Sequence, residues 1–279
     1  MVRGITFSNS QRQGNLSYTL AQASSLLSES GLVDIRSTAV IQWQPDSPVD
    51  PRRWPRVARS TARLRRRMYK RADRYLMENF GEDRTWVDRQ RAKIDFRGLT
   101  SRKGDRIGSL YTWKGMYLLD KHLRAWVDLL ESGSAFVLVF EDDAWLRVGE
   151  ESAFTDFLPT LLSGEAGEVD YVDLCGHFDF YAMFPDFSKA IRERRGDWFR
   201  VPLLTNTNCA YIMSRRLAGV FIDMVMEQPD LRRLNSDWVV NCLVADMPRS
   251  ERPTCWMRLP GPVENRSLVS GQSNMVEQS

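Results

Sequence analysis

An α/β fold with a mostly parallel sheet flanked by helices is predicted by three observations. The first is Ala135-Phe136-Val137-Leu138-Val139-Phe140, an apolar run rich in β-branched and aromatic residues and lacking polar alternation. Far too short to span a membrane, such a run reads as a strand buried on both faces of a sheet. The second is a βαβ order at the N-terminal end. The third is an amphipathic helix placed directly before the apolar run.

Taken in order, Arg3 to Ser8 reads as a first strand, followed by the polar loop Asn9-Ser-Gln-Arg-Gln-Gly-Asn15 and a helix to about Ser30. Gly31 ends that helix, and Val33 to Trp43 is again extended. The loop contains neither G-x-G-x-x-G nor G-x-x-x-x-G-K-[ST], so neither a dinucleotide fingerprint nor a phosphate loop is supported. Prolines 45, 48, 51 and 55 mark a linker. Val57, Leu64, Met68, Ala72, Tyr75 and Leu76 then form a helical stripe whose opposite face is mostly arginine.

Met116, Leu119, Leu123, Trp126 and Leu130 recur as on a helix packed against a sheet, with His122 at the stripe's edge, a position more typical of a structural hydrogen bonder than of a catalyst. Ser132-Gly133 closes this helix before the central strand. Later elements are a helix over Glu151 to Leu162, a strand at Tyr171-Val-Asp-Leu-Cys175, an extended segment over Thr205 to Ser214, and a helix over Arg215 to Met226. Ser236-Asp237-Trp238 opens another helix, with Ser236 or Asn235 as cap. Residues 259 to 274 read as loop. No internal repeat is visible.

The chain has 279 residues, a hydrophobic fraction of 43% and a charged fraction of 27%, ordinary for a globular protein; the length allows one large α/β domain or two small ones, and a single domain over residues 1–279 is the expectation. The net charge of +3 hides an asymmetry. Residues 52–107 carry 19 Lys+Arg against 7 Asp+Glu, or 19 − 7 = +12, which leaves 3 − 12 = −9 for the rest. The basic, largely helical insertion is either a solvated face or a docking surface for an anionic headgroup or polysaccharide. Nucleic acid ranks last as a partner, because no recognised nucleic-acid motif accompanies it. Leu217 to Met226 comes nearest to a membrane segment, and Asp223 interrupts it. Arg3 is followed by no apolar core of a secretory signal, so cytoplasmic residence is the expectation. Cys175, Cys209, Cys242 and Cys255 include no C-x-x-C pair, and each is expected to fill core space as a small hydrophobe. Sequons at Asn15 and Asn265 carry meaning only on a secretory route.

The central strand runs into Glu141-Asp142-Asp143. Ligands of open α/β sheets bind beyond the carboxyl ends of strands, so the cluster stands where a site is expected. If the chain stays extended past Phe140, alternation puts Glu141 and Asp143 on one side and Asp142 on the other. Two converging carboxylates suit a hard divalent ion that also holds phosphates. The bland alternative is an acidic turn that caps the next segment and pairs with arginines.

His122-Leu-Arg-Ala-Trp126, the connector through Gly133, and Phe136-Val-Leu-Val-Phe-Glu141-Asp-Asp-Ala144 together resemble the S-H-x-x-x-W … E-D-D-(A/V) signature of glycosyltransferase family 25, which includes lipooligosaccharide and collagen galactosyltransferases. Asn208-Cys-Ala-Tyr211-Ile-Met-Ser214-Arg-Arg-Leu-Ala218 resembles the family's A-Y-(L/I)-(I/V)-S-x-x-(A/G) block. Asn235-Ser-Asp237-Trp238 stands where members carry a P-I-D-type motif, and Pro262-Val-Glu through Ser270 resembles the closing block. The likeness covers about residues 108 to 275. Lys121 replaces the serine before the histidine, the G-E-x-G-C pattern is absent, and the arginine-rich segment has no counterpart. Asn9, Arg12 and Asn15 are the nearest echo of the N-terminal N-L-x-R-x-x-R pattern.

The resemblance implies a GT-A-type, Rossmann-like fold and a metal-dependent inverting transfer of a sugar from a nucleotide diphosphate, a UDP-sugar first, to a hydroxyl of a growing glycan. The acceptor would be lipid-linked or acidic, and the basic helix would touch a membrane surface peripherally. In that reading Asp143 and Glu141 hold Mn²⁺ or Mg²⁺. Glu141, Asp142, Asn9, Arg12, Tyr211 and Trp238 contact the nucleotide-sugar. Asp237 is the first choice for the base, with Asp179 and His177 in reserve. Asp237 has a bland alternative as a helix N-terminal carboxylate, a role that would lower its pKa. Two other functions compete: a non-catalytic GT-A-like protein docking on an anionic surface or nucleic acid through the arginine-rich helix, and a different metal-dependent phosphotransfer or nucleotidyl enzyme.

Overall fold

The computed structural model describes residues 2–8, 25, 38–42, 70–71, 74–75, 77–80, 118–141, 143–164, 167–176, 187–205, 208–233 and 236–265, with backbone alone at 2–8, 38–42, 233, 237 and 238. The strands are β1 (Val2–Ser8), β2 (Thr38–Gln42), β3 (Phe136–Phe140), β4 (Ala144–Leu146), β5 (Tyr171–Asp173), β6 (Glu193–Arg195), β7 (Trp198–Pro202), β8 (Ala210–Ser214), β9 (Thr254–Arg258) and β10 (Val263–Asn265). The helices are α1 (118–132), α2 (Leu158–Leu162, preceded by a π-turn over Ala153–Phe157), α3 (Phe187–Ala190), α4 (Arg215–Glu227) and α5 (Ser236–Asp246). Among the described residues, none of the helices is long and apolar enough to cross a membrane.

Eight strands form one sheet in the order β2-β1-β3-β8-β5-β9-β7-β6, and β10 pairs with β4 in a separate ribbon. The sheet meets the mostly parallel expectation in part: β2-β1, β1-β3 and β5-β9 are parallel, but β8 runs antiparallel between β3 and β5, and β7 antiparallel beside β9 and β6, which makes the sheet mixed. β7 and β8 point the same way in the sheet, so the chain passes from one end of it to the other between Pro202 and Ala210.

The central strand is buried on both faces, as its composition predicts. Val137 and Val139 join one core with α1, α4 and α5, while Leu138 and Phe140 join a second core with Phe154, Leu158 and Leu161. β8 alternates in the same phase, Tyr211 and Met213 facing the first core and Ala210 and Ile212 the second. Each fully buried aliphatic or aromatic side chain contributes about 1.5–3 kcal/mol, so a strand buried on both faces anchors the fold more firmly per residue than one with a wet face.

α1 presents Leu119, Leu123, Trp126 and Leu129 to that first core. It ends at Gly133, whose φ of 74° takes the left-handed turn there. The Arg215 guanidinium donates to the carbonyls of Leu129 and Leu130, satisfying acceptors that a helix end leaves open. α4 begins at Ser214, whose Oγ accepts from the Leu217 N–H at 3.1 Å.

Cys175 and Cys209 are joined in a disulfide across the ends of β5 and β8, with Cα atoms 6.7 Å apart. This corrects the reading of all four cysteines as space fillers. The Leu174 N–H donates to the Ala210 carbonyl at 3.1 Å, and that contact sets the two cysteines side by side although 34 residues separate them. Cys242 and Cys255 are buried free thiols, as expected.

Candidate functional site

β1 lies between β2 and β3, so the connections leaving β1 and entering β3 lead to opposite sides of it. That is a topological switch point, and the crevice beyond the carboxyl ends of the two strands is where open α/β sheets take ligands. β3 delivers Glu141-Asp142-Asp143 there. β1 ends at Ser8 beside it, directly before Asn9.

The sequence expectation of continued alternation holds for one residue only. Glu141 follows Val137 and Val139 toward α1, and its N–H donates to the Cys209 carbonyl at 2.7 Å. The chain then turns: the Ala144 N–H donates to the Glu141 carbonyl at 3.1 Å, so the face of Asp143 is set by this turn and not by strand pleating. Asp143 is buried, at 7% exposure.

Glu141 is held by a partner that sequence reading ranked as merely structural. The His122 Nε2 stands 3.0 Å from Glu141 Oε1, and its Nδ1 stands 2.8 Å from the Tyr211 hydroxyl. The Trp126 indole N–H donates to the same hydroxyl at 3.0 Å. One proton arrangement satisfies every atom. Glu141, a carboxylate, accepts from Nε2–H; Nδ1 is then an acceptor and takes the tyrosine proton; the tyrosine oxygen in turn accepts from Trp126. Burial, with the Lys121 charge beside it, pushes the His122 imidazole down to about 3, so the ring is neutral. The contact with Glu141 is therefore a hydrogen bond, and it leaves the carboxylate charge in place.

Tyr211 is 1% exposed, and its ring stacks on Tyr171 with centroids 5.2 Å apart. Its hydroxyl is bonded to His122 and Trp126, so its link to Glu141 runs through His122. The spacing of His122 and Trp126, four residues apart on one helix face, is the sequence signal for this network; only the position of β8 shows that both converge on Tyr211.

A second buried carboxyl stands on the same edge. Asp173 Oδ1 accepts from the N–H groups of Cys175 and Gly176 at 2.8 and 3.2 Å. Burial raises its pKa to about 6, against the lowering effect of those two donors. Gly176 packs on Gly261 and the Arg258 carbonyl, and the Val263 N–H donates to the Leu174 carbonyl at 2.9 Å, which seats the β4–β10 ribbon beside the acidic turn. Sequence reading gave Asp173 no role and the ribbon no existence.

Asp237 occupies the first turn of α5. That helix is pinned by Asn241, whose amide exchanges hydrogen bonds with the Thr205 backbone at 3.1 and 2.6 Å. Thr205 also donates to Asn208, directly before Cys209, so α5 is tied to the segment that supports Glu141. The side chains of Asp237 and Trp238, and residues Asn9, Arg12, Asp142, His177 and Asp179, lie outside what is described.

Glu141 and Asp143 offer hard oxygen donors of the kind a divalent cation takes. Among the described residues no three His, Cys, Asp or Glu side chains converge as a ligand group. The chemistry of the pair fits.

No protein-family model and no curated protein matches the chain. The functional reading therefore rests on the site itself.

Proposed function

We propose that this protein is a metal-dependent, inverting glycosyltransferase of GT-A type. It would move a sugar from a nucleotide diphosphate, a UDP-sugar first, to a hydroxyl of a growing glycan on a surface polysaccharide, lipopolysaccharide or glycoprotein. The observation that carries the reading is the acidic turn at the β1/β3 switch point, with Glu141 held by His122.

Asp143 and Glu141 would hold Mn²⁺ or Mg²⁺, which when bound neutralises charge developing on the departing diphosphate. The protein's own part is positioning. His122, braced by Tyr211 and Trp126, holds Glu141 through its Oε1. The backbone bond from Glu141 to Cys209 fixes the start of the turn. Asp142, Asn9, Arg12 and Trp238 are the proposed donor contacts. Asp237 is the proposed base, taking the acceptor hydroxyl's proton as its oxygen attacks the anomeric carbon opposite the leaving diphosphate, with Asp179 and His177 in reserve. The basic segment would keep the enzyme at an anionic or membrane surface on the cytoplasmic side.

The test is a thermal-shift panel of nucleotide-sugars with Mn²⁺, Mg²⁺ or chelator, followed by donor hydrolysis. A ligand at 100 times its dissociation constant stabilises by about 2.7 kcal/mol. A metal-dependent shift with one donor, and hydrolysis lost in Asp143→Ala and in chelator, is expected. No shift with any donor on folded protein would sink the reading in favour of the non-catalytic surface-docking alternative.

A further inference from the structure

The sheet's opposite edge carries a second, differently charged concavity. There β7 ends at Pro202 opposite Thr254 at the start of β9, and a pocket of about 250 Å³ opens between three separate pieces of chain. Tyr75, Glu78 and Asn79 come from the end of the arginine-rich segment, Arg192 from the residue before β6, and Arg249 and Arg252 from the link between α5 and β9. Among the described lining residues the charges sum to 3 − 1 = +2, from three guanidinium groups and one carboxylate.

The three arginines are not equivalent. Arg252 is a fixed wall: it donates to the carbonyls of Met247 and Ala245, each at 3.1 Å, and its guanidinium covers the Tyr75 ring 5.1 Å from the centroid. Glu78 bridges Arg252 and Arg249, at 3.3 and 3.1 Å. Arg192 is exposed, and among the described residues its side chain forms no ion pair. Its charge nevertheless acts, with that of Arg252, on the Tyr75 hydroxyl, which itself donates to the Leu203 carbonyl at 2.7 Å. Two arginines thus line a cavity where, among the described residues, guanidinium groups outnumber carboxylates three to one.

We propose that this pocket binds the phosphate of a small phosphate monoester, free or as a lipid headgroup, with Arg192 and Arg249 as the direct donors and Arg252 as their fixed support. Planar guanidinium forks match phosphate oxygens, and a monoester near neutrality carries a charge of about −1.5 to −2, matching the pocket. The cavity lies just below the usual range for small-molecule pockets, which suits such an ester and excludes a nucleic-acid strand. Glu78 is the built-in competitor, because its carboxylate already occupies one face of both Arg249 and Arg252. The described positive charge of the pocket comes from Arg192, Arg249 and Arg252, while the basic segment contributes Tyr75, Glu78 and Asn79, and the pocket is separate from the acidic site.

The test is calorimetric titration of the full chain with inorganic phosphate at low salt. Saturable binding at one site is expected, weakened about tenfold or more by Arg192→Ala and by Arg249→Ala, as for loss of a charge-assisted donor. Glu78→Gln should tighten it severalfold, a sign that diffuse attraction to a basic surface would not give. Arg192→Ala should unfold at the wild-type temperature, so that lost binding is not lost fold. Absence of saturable binding overturns the proposal. So does an equal loss on Arg66→Ala in the arginine run, which would assign the binding to the segment as a whole. Co-sedimentation with phosphatidylcholine vesicles, with and without phosphatidic acid, separates the sources. Retention that needs both phosphatidic acid and Arg192 identifies a headgroup; phosphate binding without retention identifies a free ester.

Discussion

His122 and Glu141, 19 residues apart in sequence, meet through a 3.0 Å hydrogen bond between Nε2 and Oε1. α1 and β3 are joined by a short connector, so the helix lies back along the strand it precedes, and a histidine in its first turns arrives beside the residue that follows the strand. The bond is one link of a directed chain from Trp126 through Tyr211 and His122 to the carboxylate.

Removing the middle of this chain should be costly out of proportion to the atom lost. Tyr211→Phe leaves the Trp126 N–H and His122 Nδ1 buried without the hydroxyl that serves both, and an unsatisfied buried polar group costs about 1–3 kcal/mol. A lower unfolding midpoint is expected by calorimetry, together with weaker donor binding through a looser Glu141. A variant as stable as wild type would show that the chain of donors is not formed.

Two buried groups make opposite demands on acid stability. His122, down to about 3 in the fold from 6.5, makes stability fall as pH drops below 6.5, because the unfolded state takes up a proton that the folded state refuses. Asp173, up to about 6 from 3.8, acts the other way between 6 and 3.8, because there the folded state binds the proton first. The two offset each other in the wild type between about pH 4 and 6. Asp173→Asn keeps an acceptor for Cys175 and Gly176 and removes the opposing proton. Its stability should therefore fall with acid by up to about 1.4 kcal/mol per pH unit relative to wild type. Parallel denaturant curves for the two proteins across that window would refute the assignment.

The close approach of two loops beside the acidic turn depends on glycine. Gly176 has a φ of 46°, and a Cβ there would overlap the Arg258 carbonyl and stand 2.7 Å from the Gly261 nitrogen. A Cβ on Gly261 would stand 2.5 Å from the Cys175 carbonyl carbon. Both contacts are with backbone, which cannot swing aside. Gly176→Ala and Gly261→Ala should each destabilise by more than the roughly 1 kcal/mol typical of point substitutions. The exposed Gly149→Ala, with nothing within 4 Å of its Cβ, isolates the cost of positive φ alone.

The Cys175–Cys209 bridge makes a direct chemical prediction. Denatured protein kept from reductant should titrate two thiols, and four after reduction. Closing a loop of this length typically contributes about 2–4 kcal/mol, so Cys175→Ser with Cys209→Ser should lower the midpoint of a reductant-free preparation and leave a reduced one little changed.

Much of the framework was legible because it rests on local pattern. The apolar run 136–140 could hardly be other than a strand buried on both faces, α1 and α4 follow their apolar stripes, and α5 starts at Ser236, where the Ser-Asp-Trp opening put it. β1 and β5 were readable for the same reason, as was the extended character leading into β8. What escaped reading was short or polar. β6 is Glu-Arg-Arg, an edge strand with no apolar signal, and β10 is three residues in a stretch read as loop, formed only because β4 is there to pair with it. β7 and β9 gave no run long enough to name, and their pairing with each other supplies what local sequence lacks.

The sequence by itself determined the α/β class, the central strand and the presence of carboxylates at its end, because strand burial and helical amphipathicity are written in residue spacings of two and of three to four. The tertiary structure alone decided that β8 runs antiparallel through the sheet's middle, that Cys175 meets Cys209, and that His122 is neutral and holds Glu141. Those outcomes depend on residues far apart in the chain coming within hydrogen-bonding distance, and on the loss of water around them, neither of which any local spacing encodes.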